Sequence, residues 1–193
     1  MAMTTGIVLL NMGGPEKLED VRPFLYNLFS DRDIIKLGPP FLQKFIAWYI
    51  AKKREPKSQG LYKQIGGGSP LTQITLAQAK ALEAALQKEG DFVVTTAMRY
   101  WHPRSTVAIQ ELQEQQVDRI IAVTLYPHYS RATTGSSFKD FKKQLKNSQL
   151  SHLSESLEVI SEWPDQPNYI SCLLQQIQNG LSRFSTEQVE IVY

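Results

Sequence analysis

Five short apolar runs, each ending in turn residues or at the chain end, narrow the folds open to this 193-residue chain. They are Ile7–Met12, Phe92–Met98, Arg119–Tyr126, Leu157–Ile160 and Val189–Tyr193. The runs are rich in β-branched residues, short, and mostly lack polar alternation, which suits strands buried on both faces of a parallel sheet. Helical spacings separate them. Leu18, Val21, Phe24, Leu25 and Leu28 share one helix face, as do Ala79, Leu82 and Leu86. Val107, Ala108 and Leu112 follow, then Phe138, Phe141 and Leu145, then Ile170, Leu173, Leu174, Ile177 and Leu181. Such alternation predicts an α/β fold with a mostly parallel, doubly wound sheet and right-handed crossovers. The run at Val189–Tyr193 has no helix after it, so the natural fold is expected to continue past Tyr193.

In an open α/β sheet, ligands bind beyond the carboxyl ends of the strands. The richest strand end is in Arg119–Ser137, where Tyr126, His128, Tyr129, Ser130, Arg131, Thr133, Thr134, Ser136 and Ser137 fall in one connection. Two readings are open: a polar loop that caps the next helix through Ser or Thr, or a ligand loop beside a helix start. At the first strand end, Gly13-Gly14-Pro15 allows unusual backbone angles or close approach. Gly66-Gly67-Gly68 precedes Ser69-Pro70 and reads as a flexible loop or as backbone that approaches a substrate. Thr75 and Gln78 form a capping-box pattern that predicts a helix start near Thr75, and Gly90 is expected to end that helix. Pro103 can open the helix after the second strand.

Leu37–Ile50 crowds Phe41, Leu42, Phe45, Ile46, Trp48, Tyr49 and Ile50 into one segment that runs into Ala51-Lys52-Lys53-Arg54. It reads as a core helix, as an apolar lip over a flat ligand, or as a surface touching membrane. No apolar run reaches the roughly 18–20 residues that span a bilayer.

Several classes drop out. The net charge of +2, with basic residues spread along the chain, gives no footprint for nucleic acid. Cys172 is the single cysteine, so no internal disulfide or cluster-binding set exists, and a cytoplasmic setting is expected. The amino terminus lacks the basic region of a signal peptide. The three histidines, His102, His128 and His152, show no HxxxH or HExxH spacing. The glycines make neither a dinucleotide fingerprint nor a Walker loop. What remains at strand ends and nearby loops is Met12, Lys53, Arg54, Lys57, Tyr62, Ser69, Arg99, Tyr100, Tyr126 and Ser130, a set with several aromatics and cations. Flat apolar faces beside cations suit a large, flat, anionic ligand. For Arg99 a structural ion pair is the alternative.

Taken together, five motifs resemble the amino-terminal half of ferrochelatase: LNMGGP at 10–15, AKKREPK at 51–57, YKQIGGGSPL at 62–71, RYWHP at 99–103 and YPHYSRATTGSS at 126–137. The resemblance implies ferrous iron insertion into a porphyrin (protoporphyrin or coproporphyrin) in haem biosynthesis, with no cofactor beyond these two substrates. It implies a chelatase-type Rossmann-like fold of two similar domains, with residues 1–186 forming the first and its crossover helix, and 187–193 starting the second. It implies that Met12 lies against the macrocycle, that Arg54, Lys57, Tyr62 and Ser69 hold propionates, and that Arg99, Tyr100, Tyr126 and Ser130 line the pocket. Leu37–Ile50 would be the entrance lip, with peripheral membrane contact in some relatives. Lys53 stands where relatives often have arginine, and lysine lacks the bidentate fork. The family's catalytic histidine, in a Ser-Ala-His motif, and its acidic partner are expected beyond Tyr193. This chain alone is therefore expected to be inactive, as a truncated ferrochelatase or as a porphyrin-binding module acting with a separate carboxyl half.

Overall fold

The computed structural model describes residues 3–184. Its strands are β1 (Thr5–Asn11), β2 (Phe92–Met98), β3 (Arg119–Thr124) and β4 (Glu158–Ile160). Its α-helices are α1 (Val21–Ser30), α2 (Gln43–Gln64), α3 (Leu71–Leu86), α4 (Ser105–Glu114), α5 (Ser136–Lys146) and α6 (Pro167–Leu181). Among the described residues all strand pairs are parallel and the order is β2-β1-β3-β4. The expected doubly wound α/β architecture is present. Val189–Tyr193, read as a fifth strand, lies outside the described residues.

β1 is the centre of the sheet, and all seven of its residues are buried. On one face Ile7 and Leu9 meet Ala79 of α3. On the other, Val8 and Leu10 meet Ala108 and Leu112 of α4 with Phe141 and Leu145 of α5. Both faces of β1 are thus covered, as an uninterrupted apolar strand requires. β3 departs from that expectation. Ile120, Ala122 and Thr124 are buried, whereas Ile121 and Val123 are half-exposed. The cause is coverage: α4 and α5 shield the first set, while α3 lies over β1 and β2. Next to this open side, Val159 and Ile160 of β4 are exposed. So is the apolar stripe of α6, formed by Ile170, Leu173, Leu174, Ile177 and Leu181. No residue of α6 is buried among the described residues.

Two helix starts and one helix end differ from their sequence signals. α3 begins at Leu71, four residues before the capping pattern, so Thr75 lies inside the helix. Its buried hydroxyl donates to Leu71 O at 2.8 Å and accepts from Asn11 Nδ2 at 3.0 Å. Tertiary pairing to β1 outweighs the local capping option here. α4 begins at Ser105 and not at Pro103, because the Pro103 carbonyl accepts from Met98 N at 2.7 Å and belongs to the strand exit. α3 also stops at Leu86, ahead of Gly90.

α2 joins the apolar segment and the basic motif into one 22-residue helix with Pro56 inside it. Its buried anchor is Gln43, whose Nε2 donates to Phe29 O and Ile35 O at 2.8 and 2.9 Å. Gln43 Oε1 accepts from Arg32 Nη1 and Leu37 N, both at 3.0 Å. One amide thereby satisfies its full hydrogen-bonding capacity and ties the loop after α1 to the start of α2.

Candidate functional site

Strand order locates the crevice. When connections from neighbouring parallel strands leave toward opposite faces, a cleft opens beyond their carboxyl ends. The order β2-β1-β3 puts that switch between the exits of β1 and β3. Leu10 lies beside Thr124, and Asn11 beside Met98. The ladder then runs slightly past the strands: Leu125 N donates to Leu10 O, Arg99 N to Asn11 O and Tyr100 N to Met12 O, at 2.8–2.9 Å. Met12, Arg99 and Tyr126 therefore leave the sheet from adjacent strands.

The glycines at the β1 exit let other parts of the chain come close. Gly13 has φ +80°, and a Cβ there would stand 2.8 Å from Trp101 Cβ. A Cβ on Gly14 would stand 2.6 Å from the Ser69 side chain. Ser69 is held at this position by its N–H, which donates to Pro15 O at 2.7 Å. Its hydroxyl accepts from the N–H of Leu71, the first residue of α3, at 3.3 Å. At Gly68 the close approach is to the chain's own backbone: an added Cβ would lie 2.1 Å from Glu16 O. Gly66 and Gly67, at φ +100° and +95°, have open space around them.

Met12 and Tyr62 pack into one cluster with Tyr100 and Trp101. Burial pushes the Tyr62 phenol up from its ordinary range. Arg54 and Lys57 are exposed on α2, and the Arg54 guanidinium sits 5.4 Å over the Phe29 ring. Farther up α2 and its lead-in, Phe41, Phe45, Trp48 and Tyr49 are exposed. Arg22 and Lys52 both lie over the Trp48 ring, at 5.6 and 5.4 Å.

Arg99 and Tyr100 are engaged in a polar network whose centre, Asp31, gave no sequence signal beyond its place just after α1. Asp31 Oδ2 accepts from Arg99 Nη2 at 2.8 Å, from the Tyr100 hydroxyl at 2.7 Å and from the Ser136 hydroxyl. Arg99 Nε also donates to Ser136 Oγ at 2.8 Å. Burial pushes the Asp31 carboxyl up, but the bonds from Ser136, Asp33 N and Tyr100, with the Arg99 charge, outweigh it and hold it below 3.8. Burial and then the Asp31 charge drive the Tyr100 phenol well above its ordinary range. This network joins the ends of α1 and β2 to the start of α5. It matches the ion-pair alternative for Arg99.

The β3 exit contributes hydroxyls. Ser130 caps the following turn by accepting from Ala132 N at 3.2 Å, which matches the capping reading. Tyr126, Thr134 and Ser137 are different: their hydroxyl oxygens are buried with no hydrogen-bond partner among the described residues. Burial pushes the Tyr126 phenol up to about 12. The Ser137 hydroxyl beside it opposes that rise without overcoming burial, and a buried hydroxyl left fully unpaired costs about 1–3 kcal/mol.

His128 and His152 are exposed, as is His102, which packs edge-on to Trp101 at 5.4 Å. Among the described residues no three His, Cys, Asp or Glu side chains converge as a metal site. No described helix is long and apolar enough to cross a membrane.

Comparison with known proteins agrees with the motifs. The ferrochelatase family model matches residues 4–193. A ferrochelatase of Desulfotalea psychrophila is 55% identical, over 98% of this chain and 58% of the relative. One from Geotalea uraniireducens is 47% identical, over 100% and 59%. One from Synechocystis is 46% identical, over 97% and 49%. The chain thus spans roughly half to three-fifths of the length of these relatives. With the family match covering nearly the whole sequence, the chain belongs to the ferrochelatase family.

Proposed function

We propose that this chain forms the porphyrin-binding wall of a ferrochelatase, the enzyme that inserts ferrous iron into a porphyrin to make haem. The observation that carries this reading is the switch-point crevice. On its β3 side stands Tyr126, whose phenol is buried beside the Ser137 hydroxyl. Its β1 side carries Met12 and Tyr62, with the exposed cations Arg54 and Lys57 on α2.

A macrocycle with an apolar face and peripheral carboxylates matches that division. Met12 and Tyr62 would bury the ring face, and Arg54 and Lys57 would hold propionates through charge-assisted bonds. Tyr62 and Ser69 would donate to the same carboxylates. Arg99 and Tyr100 would support the pocket from behind through Asp31. Because burial holds the Tyr126 phenol neutral, it would donate a hydrogen bond and not accept a proton. Iron and porphyrin enter as substrates, with no further cofactor.

Metal insertion releases two pyrrole protons and needs a base near the ring. The three histidines of this chain, His102, His128 and His152, are exposed. On the family resemblance, the base is assigned to the portion of the relatives that this chain does not cover. A second reading, a porphyrin-binding module acting with a separate carboxyl half, draws support from the exposed α6 stripe and the open side of β3 and β4.

The test is an anaerobic iron-insertion assay. The chain alone should give no turnover above the uncatalysed rate. The same chain joined to the carboxyl-terminal remainder of a relative, or mixed with it, should be active. Turnover by the chain alone would sink the assignment of the base.

A further inference from the structure

A second cleft lies between α1, the start of α2 and the connection from β2 to α4, with a volume of about 260 Å³. Among the residues expected to contact porphyrin, only Arg99 and Tyr100 reach it; Arg54, Lys57, Tyr62 and Ser69 do not. Three cations line it, Lys44, Arg99 and Arg104, against one carboxylate, Asp31. The carboxylate is already occupied by Arg99, Tyr100 and Ser136.

The cations are less well matched. Arg104 is half-buried, yet its guanidinium has no ion pair or hydrogen bond among the described residues. Burial, above all, pulls its pKa down, the Arg99 charge adds to this, and Asp140 opposes it. Lys44 likewise has no ion-pair partner among the described residues. The Ser30 hydroxyl lining the same cleft is buried and unpartnered. A cleft rich in free donors, with its acceptor saturated, selects an oxyanion over a metal ion or an amine. The forked guanidinium of Arg104 and the ammonium of Lys44 suit phosphoryl oxygens.

We propose that this cleft binds a phosphoryl oxyanion, gripped by Arg104 and Lys44 with the Ser30 hydroxyl as a further donor. The proposal is independent of the reading of the porphyrin wall. The oxyanion has two possible sources, because Tyr26 and Lys44 also line an adjoining apolar groove with Phe45 and Trp48. It is either free phosphate or the head of an amphiphile whose tail lies along that groove.

Calorimetric titration of the 193-residue chain at fixed ionic strength separates these outcomes. Inorganic phosphate should bind saturably at one site, and Arg104→Gln should weaken it about tenfold or more, the loss expected for a charge-assisted bond. Dodecyl phosphate, kept below its micelle concentration, should bind at least about tenfold tighter than phosphate if the groove holds a tail. Equal affinity assigns the site to free phosphate. Lys44→Gln, at an exposed position, carries the test if circular dichroism shows that Arg104→Gln does not fold. Absence of saturable binding by both probes, or unchanged binding in the folded variants, overturns the proposal.

Discussion

Asp31→Ala is expected to destabilise the chain by about 3–5 kcal/mol, the usual cost of removing one partner from a buried ion pair. The Asp31 side chain is 7% exposed and the Arg99 side chain 17%. Asp31 accepts from three side chains, so its loss removes one bond each from the Arg99 guanidinium and the Tyr100 and Ser136 hydroxyls, leaving them their bonds to one another. Asp140, 3.7 Å from Arg99 Nη1, remains an ion-pair partner but lies beyond hydrogen-bond reach. Asp31→Asn keeps the shape but removes the charge and should fall between wild type and alanine. Urea unfolding checks the order. A loss below about 1 kcal/mol for alanine would mean that the network is dispensable. The pH dependence has a definite sign. The folded pKa lies below the ordinary 3.8, so this contribution is present above 3.8 and is lost as pH falls through the folded value. Acid unfolding of wild type should therefore steepen below pH 3.8, and Asp31→Asn should lack that part of the slope.

Gly68→Ala is expected to be the most damaging single-methyl addition to this chain. The new Cβ would lie 2.1 Å from Glu16 O and 2.5 Å from Glu16 C, and backbone cannot swing aside as a side chain can. The strap at Glu16–Lys17 must move, and with it Pro15 O, which accepts from Ser69 N. Overpacking of this kind costs about 1–3 kcal/mol. Here the strain also loosens the β1 exit, so porphyrin binding should weaken beyond what the stability loss predicts. Gly60→Ala is the matched control. It sits within α2 with nothing within 4 Å, and should stabilise by about 0.5–1 kcal/mol. Equal melting temperatures for the two variants would contradict the assigned contact.

The strands were legible because period and length alone separate a short apolar run from a helix, and β1 to β4 all appear close to where those runs lie. Helix starts were less legible. Thr75 carries a capping signature, yet its hydroxyl is taken by Asn11, 64 residues away in sequence. Pro103 looks like a helix opener but serves the β2 exit. Met12, Arg99, Tyr100 and Tyr126 were visible because they follow strand runs, whereas Lys53, Arg54, Lys57 and Tyr62 lie along α2 and stood out only as a motif. Asp31 was not visible. An acidic residue after a helix looks like solvated surface until three donors from distant segments converge on it. Gln43 was hidden for the same reason, inside an apolar stretch that drew attention to its aromatics. The half-exposed face of β3 was hidden because the reach of α3 over the sheet is a tertiary fact.

The central claim is that the crevice between the β1 and β3 exits is a porphyrin wall. Its most direct test is titration of the porphyrin absorption band with the 193-residue chain. A saturable shift at micromolar protein is predicted. The combined Arg54→Gln and Lys57→Gln change should weaken it by roughly tenfold or more, since about 1.4 kcal/mol per decade is within reach of one charge-assisted bond. No shift at micromolar protein, or a shift indifferent to those cations, would contradict the account.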